Sequence, residues 1–355
     1  GSSGSGFDFS RHGSVCLNGW PSWACARMGG DYGYADMPDL KRRRILITGG
    51  NSGFGLETAR GLILNSNCDL VILACRNKAR AEAAARSIVS AAVAQASKGE
   101  RLPNGLEIST VPPKQRVEIL ILDLGDLDQI PQAAEELRSR HKSIDILINN
   151  AGVACFFSKK LVTKQGHELQ FGTNHLGHFK FTSHVMDLLK RSEFKPARVV
   201  SVSSVAHEFS KGLDFTDLDW ESRRFRGAVA YADSKLANVL FMYGLQKRLA
   251  AAGLSEVVTV VAAHPGFGAT DIGRHSCAAW LANKLCAASI AKVAINEVRA
   301  AVDPTLRSGD YTNPKRWKLY GPPVKARTAE IARDPEQCES LWERSEKILQ
   351  EPFKV

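Results

Sequence analysis

One stretch constrains this chain more than any other: Ile45-Leu-Ile-Thr-Gly-Gly-Asn-Ser-Gly-Phe-Gly55. Ile45 to Ile47 reads as a short buried strand. Gly49, Gly53 and Gly55 follow, and Leu56, Ala59, Leu62 and Ile63 then recur on one helical face. Strand, glycine turn and helix in that order make the layout of a dinucleotide site. Glycines let backbone N–H groups approach a pyrophosphate closely, and a helix N-terminus adds unpaired donors and the positive end of a dipole. The spacing is Gly-x-x-x-Gly-x-Gly, not the Gly-x-Gly-x-x-Gly of the general fingerprint. A plain tight turn fits the stretch too, so the rest of the chain decides.

The rest repeats the theme. Asp69 to Cys75 reads as a second buried strand, followed by Arg76 and an alanine-rich helix from Lys78 to about Ser97. Val117 to Leu122 forms a third, closed by Asp123-Leu124, before a helix from Leu127 to Arg140. Ile144 to Ile148 ends in Asn149-Asn-Ala-Gly152, and a long helix over Glu168–Lys190 follows. Arg198 to Ser203 and Val257 to Ala262 complete six strands, with a helix opened by Tyr231 between them. Buried strands alternating with amphipathic helices predict an α/β fold: a single Rossmann-type doubly wound parallel sheet with helices on both faces. Ligands in such sheets bind beyond the strand C-termini, where the glycine turn, Arg76, Asp123 and Asn149–Gly152 all fall. An acid after the second strand would bind a ribose 2′-OH. An arginine there meets a 2′-phosphate, so Arg76 favours NADP over NAD.

The 1–40 segment reads as a flexible leader whose start, Gly1-Ser-Ser-Gly-Ser-Gly6, has the composition of a cloning linker. Residues 41–355 then form one domain, with a proline- and glycine-rich surface insertion near 98–114 and a less regular, substrate-binding segment near 266–330. Helices are expected from Ala278 to Val302 and from Leu341 to Ile348. No run reaches the roughly 18 apolar residues of a membrane span, which leaves only peripheral membrane contact. The net charge of +10 is scattered apart from Lys41–Arg44, with no aromatic RNA-binding motif, and argues against nucleic acid. Eight cysteines at irregular spacing, with no Cys-x-x-Cys, fit a reducing, intracellular compartment.

The chemistry centres on Tyr231 and Lys235, spaced i, i+4 on one helical face. A phenol with an ordinary pKa near 10 needs a neighbouring cation before it can pass a proton at neutral pH. Ser204 ends the fifth strand on the same rim, with Ser203 the competing choice. Alternation along the strand points one of them inward, and Ser204 is chosen. Asn174 sits inside a helix, where asparagine is a poor helix former and marks a kink, a bound water or a satisfied core amide. His175 and His178 are two imidazoles without a third ligand, so no metal is expected. There is no Gly-x-Ser-x-Gly elbow for a hydrolase.

These residues together resemble the short-chain dehydrogenase/reductase superfamily, over about residues 41 to 350. Within it, Ala74-Cys-Arg76, Phe171–Phe179 and Ser234–Phe241 are similar to the retinol dehydrogenase-like branch, which includes WW-domain oxidoreductase-type and protochlorophyllide reductase-type enzymes. The resemblance implies NADP(H)-dependent interconversion of an alcohol and a carbonyl on a small, apolar substrate. It casts Tyr231 as general acid/base, Lys235 as the group lowering its pKa and holding the nicotinamide ribose, Ser204 as the orienter of the substrate oxygen and Asn174 as support for a relay water. It assigns the cofactor to Thr48, Gly49, Asn51, Ser52, Gly53, Phe54, Gly55, Arg76, Asp123, Leu124, Asn150, Ala151, Gly152, Tyr231, Lys235, Pro265, Gly266 and Thr270. It also implies a homodimer through the two long central helices. The chain departs from the family in the long 98–114 loop and in Gly268 where a branched residue is usual, and the 1–40 segment is not expected to act as the N-terminal anchor of several retinol dehydrogenases. Two rival readings are an NADPH-binding sensor or scaffold without turnover, and a light-dependent protochlorophyllide reductase-like enzyme.

Overall fold

The apolar runs become parallel strands: β1 (Arg44–Thr48), β2 (Leu70–Cys75), β3 (Val117–Ile121), β4 (Ile146–Asn149), β5 (Ala197–Val202) and β6 (Val258–Ala263). The structure is a computed structural model and describes residues 31–99, 101–156, 159–267 and 290–355. Every residue of β2, β4, β5 and β6 is buried, as strands covered on both faces require. With β7 (Tyr311–Arg316) and β8 (Tyr320–Ala326) the sheet runs β3-β2-β1-β4-β5-β6-β7-β8. All pairings are parallel except β7 with β8. The chain builds outward from β1 to β3, then returns to add β4 on the other side. That reversal opens a crevice beyond the C-terminal ends of β1 and β4.

The helices are α1 (Gly53–Asn65), α2 (Lys78–Ala96), α3 (Ile130–Arg140), α4 (Leu169–Phe171), α5 (Gly177–Lys190), α6 (Gly227–Ala251), α7 (Ile290–Val293), α8 (Ile295–Val302) and α9 (Pro335–Leu349). Two cores result, one on each side of the sheet. Leu46 and Ile72 belong to the core with α3, α5, α6 and α9, while Ile45, Ile47, Val71 and Leu73 belong to the core with α1, α2 and α8. Alternation along a strand produces this split. The architecture is thus the doubly wound α/β sheet expected.

Three features differ from the sequence reading. Residues 32–40 read as leader, yet Met37 and Leu40 are fully buried, and the compact unit begins at Tyr32. The 98–114 segment, read as a surface insertion, has Leu102 buried and Asn104 Nδ2 donating to the Met37 carbonyl at 3.0 Å. The β7–β8 hairpin lies in a region read as irregular. Its strands carry Pro314, Pro322 and Pro323, which demote a run in any strand search but are tolerated near a sheet edge. The closing helix starts six residues early, at Pro335, with Asp334 accepting from Glu336 N–H as its cap.

That helix, α9, covers α5 and α6. Trp342 packs against Phe179 of α5 and stacks on Phe241 of α6, with ring centroids 4.8 and 5.9 Å apart, and Phe353 closes over all three rings. The aromatic face of the two central helices is therefore occupied by the chain's own C-terminal segment.

Candidate active site

The glycine turn is built for close approach. Gly49 has φ +70°, and its N–H donates to the Ala74 carbonyl at 2.7 Å. A Cβ at Gly49 would lie 3.0 Å from Ala151 Cα, and one at Gly55 only 2.4 Å from Asn150 Nδ2. Helix α1 begins at Gly53 without a side-chain cap from Ser52, at the end where a helix carries its unpaired N–H donors. Beyond the turn lies a groove of about 750 Å³. Gly49, Asn51, Ser52, Gly53, Phe54 and Gly55 form its floor. Arg76, Asp123 and Leu124 stand at one end and Asn150, Ala151 and Gly152 at the other. The glycine cradle, the uncapped helix and the groove's size fit a dinucleotide pyrophosphate.

Thr48 does not line the groove. It is fully buried beneath it, where its hydroxyl accepts from Ala151 N–H at 2.9 Å and lies 2.8 Å from His178 Nε2. His178 Nδ1 lies 2.9 Å from the Asn174 carbonyl, which only an N–H can satisfy. Nε2 is then the acceptor, and the Thr48 hydroxyl donates to it. The turn and the helix bearing Asn174 are latched together through one neutral imidazole.

Arg76 stands at the rim with its side chain 74% exposed, 3.9 Å from Asp123 Oδ2. An exposed pair at that distance is weak and leaves the guanidinium free to meet an anion. Two groove walls escaped the sequence reading. Arg80 lies one turn into α2, where it looks like any solvated helix residue, and Leu161, Val162, Thr163 and Lys164 come from a loop with no motif.

At the Gly152 end stand the four candidate catalytic residues. The long central helix is interrupted: between α4 and α5 a π-helical turn spans Gly172–Leu176, and Asn174 sits within it. Asn174 Nδ2 donates to the Val153 carbonyl (2.9 Å) and Ser234 Oγ (3.0 Å), and its Oδ1 accepts from Val153 N–H (2.8 Å). A Cβ on Gly152 would be 3.3 Å from both Asn174 Oδ1 and Lys235 Nζ, so this glycine separates groove from catalytic cluster. Lys235 Nζ donates to the Val202 carbonyl at 3.2 Å and sits 5.9 Å from the Tyr231 ring centroid. The Ser204 hydroxyl accepts from Ala206 N–H at 3.2 Å and, as a polar neighbour of the Tyr231 phenol, favours its ionised form. Ser203 turns the other way, and its hydroxyl donates to the Lys235 carbonyl at 2.7 Å. Phe156 packs edge-on against Tyr231, with centroids 5.7 Å apart.

Electrostatics here depart from the expectation that Lys235 lowers the Tyr231 pKa. Burial pushes the phenol up to about 12, and the opposing influence is the Ser204 hydroxyl. Burial also pulls the Lys235 ammonium down to about 8. The ammonium lies over the ring face and spends its hydrogen bond on a backbone carbonyl.

Pro265 and Gly266 lie outside the groove lining. The Pro265 carbonyl accepts from Asn296 Nδ2 at 3.1 Å, and Gly266, at φ +111°, turns the chain toward β7 and β8. Thr270 and Gly268 fall outside the described residues. His175 and His178 take different partners, His175 Nε2 meeting Ser345 Oγ at 2.8 Å. Among the described residues no three His, Cys, Asp or Glu side chains gather as metal ligands, and no helix is long and apolar enough to cross a membrane.

Sheet order and a glycine-cradled crevice at the strand reversal define the class: an α/β protein of Rossmann type. Comparison with known proteins narrows it. The family model described as short chain dehydrogenase matches residues 92–214. Retinol dehydrogenase 12 of Homo sapiens is 37% identical over 311 residues, 87% of this chain and 87% of that protein. Retinol dehydrogenase 13 of Homo sapiens is 39% identical over 234 residues, 66% of this chain. That match spans 61% of retinol dehydrogenase 13, less than two thirds of its length. Among solved structures, an uncharacterized protein from Mycobacterium Paratuberculosis is 31% identical with a TM-score of 0.70, covering 92% of this chain and 100% of the other. NADPH-bound carbonyl reductase from chicken fatty liver shares the fold, with a TM-score of 0.53 at 22% identity over 77% of this chain and 97% of its own. The chain belongs to the short-chain dehydrogenase/reductase superfamily and is retinol dehydrogenase-like.

Proposed function

We propose that this protein is an NADP(H)-dependent oxidoreductase that interconverts an alcohol with an aldehyde or ketone on an apolar substrate. The observation that carries the reading is the meeting of Tyr231, Ser204, Lys235 and Asn174 beside Gly152, at one end of the glycine-lined groove. Arg76 at the other end supports NADP over NAD, because its guanidinium is free to pair with a 2′-phosphate. The retinol dehydrogenases among its relatives are named for an apolar alcohol, which supports the substrate class.

In this reading Ser204 fixes the substrate oxygen and Tyr231 gives it a proton during reduction or takes one during oxidation. Lys235 supplies positive charge beside the phenol, and Asn174 fixes the Val153 backbone at the groove's edge. A bound nicotinamide would supply or take up the hydride. Groove, cradle and rim arginine would hold the dinucleotide. A panel of apolar aldehydes, ketones and alcohols, run with NADPH and with NADH, tests the proposal. Carbonyl-dependent NADPH oxidation supports it. Tight NADPH binding with no turnover across the panel would favour a sensor or scaffold instead.

A further inference from the structure

The chain leaving β4 lines the dinucleotide groove as far as Cys155. The next side chain, Phe156, meets the catalytic cluster. Its ring stands edge-on to Tyr231, with centroids 5.7 Å apart and planes at 69°, and the residue remains 45% exposed. A lone exposed phenylalanine is ordinary on a protein surface. This one is set against the proposed proton donor, and the mechanism above gives it no task.

The backbone that carries it is held in place. Asn174 fixes Val153 at both of its backbone polar groups. Two residues on, Cys155 N–H donates to Gln170 Oε1 at 2.9 Å. Gln170 is a fully buried side chain of α4, and its Nε2 donates to the Gly227 carbonyl at 3.1 Å. Gly227 opens α6 one turn before Tyr231. A single buried amide therefore spans from the residue before Phe156 to the turn before Tyr231. Two rings whose backbones share such a strut keep their relative placement, which is what a binding surface beside a reacting group requires.

An edge-on contact engages only part of a ring. The uncovered part of Phe156 is free to pair with another aromatic group, offset-stacked or edge to face. We propose that Phe156 is a specificity-determining residue, and that it receives a flat aromatic group carried next to the reacting carbon. The preferred substrates are then aryl aldehydes, aryl ketones and the corresponding alcohols. The inference rests on the proposed function, which puts the reacting oxygen between Ser204 and Tyr231. A saturated ring of the same size fills the same space but has no π-system to pair with Phe156. The plainer alternative makes Phe156 a cover that keeps water from the phenol. A cover treats flat and saturated ligands alike.

The test is an equilibrium titration that needs no turnover. Full-length protein with NADPH, which cannot react with an alcohol, is titrated with naphthylmethanol and with its fully saturated decalin analogue, followed by ligand-observed NMR. Comparing the ratio of the two dissociation constants between proteins cancels the ligands' own difference in hydrophobicity. Wild type is expected to favour the naphthyl compound. Phe156→Leu should shrink that preference by about threefold to tenfold, the scale of one aromatic pair, while Phe156→Tyr, which keeps a ring, retains it. A ratio unchanged in Phe156→Leu, even with both affinities lowered, would overturn the proposal. So would a preference lost equally in Phe156→Tyr, or a wild type that binds neither alcohol. A wild type that binds both alcohols yet turns over no carbonyl would sink the proposed function and leave this ratio measurable.

Discussion

Asn174 grips Val153 at both of its backbone polar groups, accepting from the N–H at 2.8 Å and donating to the carbonyl at 2.9 Å. Its remaining amide proton goes to Ser234. The side chain therefore ties the helix interruption, the chain leaving β4 and helix α6 into one unit. Asn174→Ala leaves a partly buried backbone pair unsatisfied and should cost about 1 kcal/mol of stability. Asn174→Asp keeps the bond from the Val153 N–H and loses both donors, so turnover should fall while the protein still folds. Thermal melts set beside steady-state rates check both expectations, and wild-type behaviour of the aspartate variant would contradict them.

The two adjacent serines should separate stability from activity. Ser203 spends its hydroxyl on the Lys235 carbonyl, whereas Ser204 meets Tyr231. Ser203→Ala should cost about 1 kcal/mol of stability with kcat changed little. Ser204→Ala should fold normally and lose about a hundredfold in kcat, the scale of losing one donor to a reacting oxygen. The reverse pattern would exchange the two assignments.

Arg76 offers the clearest test of cofactor choice. It is exposed and only loosely paired with Asp123. Arg76→Ala should weaken NADPH binding by about tenfold or more, the scale of one charge-assisted hydrogen bond, with NADH binding unaffected. Fluorescence titrations with both nucleotides read this out. Equal loss for the two would place the arginine elsewhere than at a 2′-phosphate.

Acid should destabilise the fold at a pH set by its buried histidines. Burial lowers the pKa of His175, His178, His184, His207 and His264, the first two to about 3 and about 4 and the last to about 3. A depressed histidine binds its proton more readily in the unfolded chain. Its contribution is therefore complete above about pH 6.5 and is lost as pH falls toward the folded value. Each fully buried ring adds up to about 1.4 kcal/mol per pH unit to that slope. Asp233 and Glu297, raised to about 6 and about 7, and Glu168, also raised by burial, act in the opposite sense, but they are three groups against five. Thermal midpoints should drop as pH falls below about 6.5, and His175→Gln should make that drop shallower. A midpoint independent of pH over this range would contradict the assignment.

What could be read from the residues, and what could not, follows from how locally each feature is encoded. Strands β1, β2, β4, β5 and β6 are short apolar runs because both faces are buried, and the glycine turn carries its own signature. The Tyr231–Lys235 spacing is likewise local. The β7–β8 hairpin is hidden by prolines that only its place near the sheet edge excuses. Arg80 and Leu161–Lys164 join the groove through tertiary folding alone. Thr48 belongs to the glycine motif by sequence, yet its hydroxyl points down to His178 rather than into the groove. Glu297 looks like an ordinary acid in a helix start until α1 and the sheet close over it. The same holds for Arg116 and Arg198, basic residues in sequence but buried caps in the fold. Their guanidinium groups satisfy carbonyls at the ends of α1 and α8.

The most direct measurement of the central claim is carbonyl-dependent NADPH oxidation by wild type and by Tyr231→Phe, alongside NADPH affinity for each. Removing one hydroxyl leaves the ring that packs on Phe156 and removes the proton donor. The account predicts turnover by the wild type, a loss of about a hundredfold or more in kcat for the variant, and little change in NADPH affinity. A Tyr231→Phe protein that reduces the same carbonyl at the wild-type rate would contradict it.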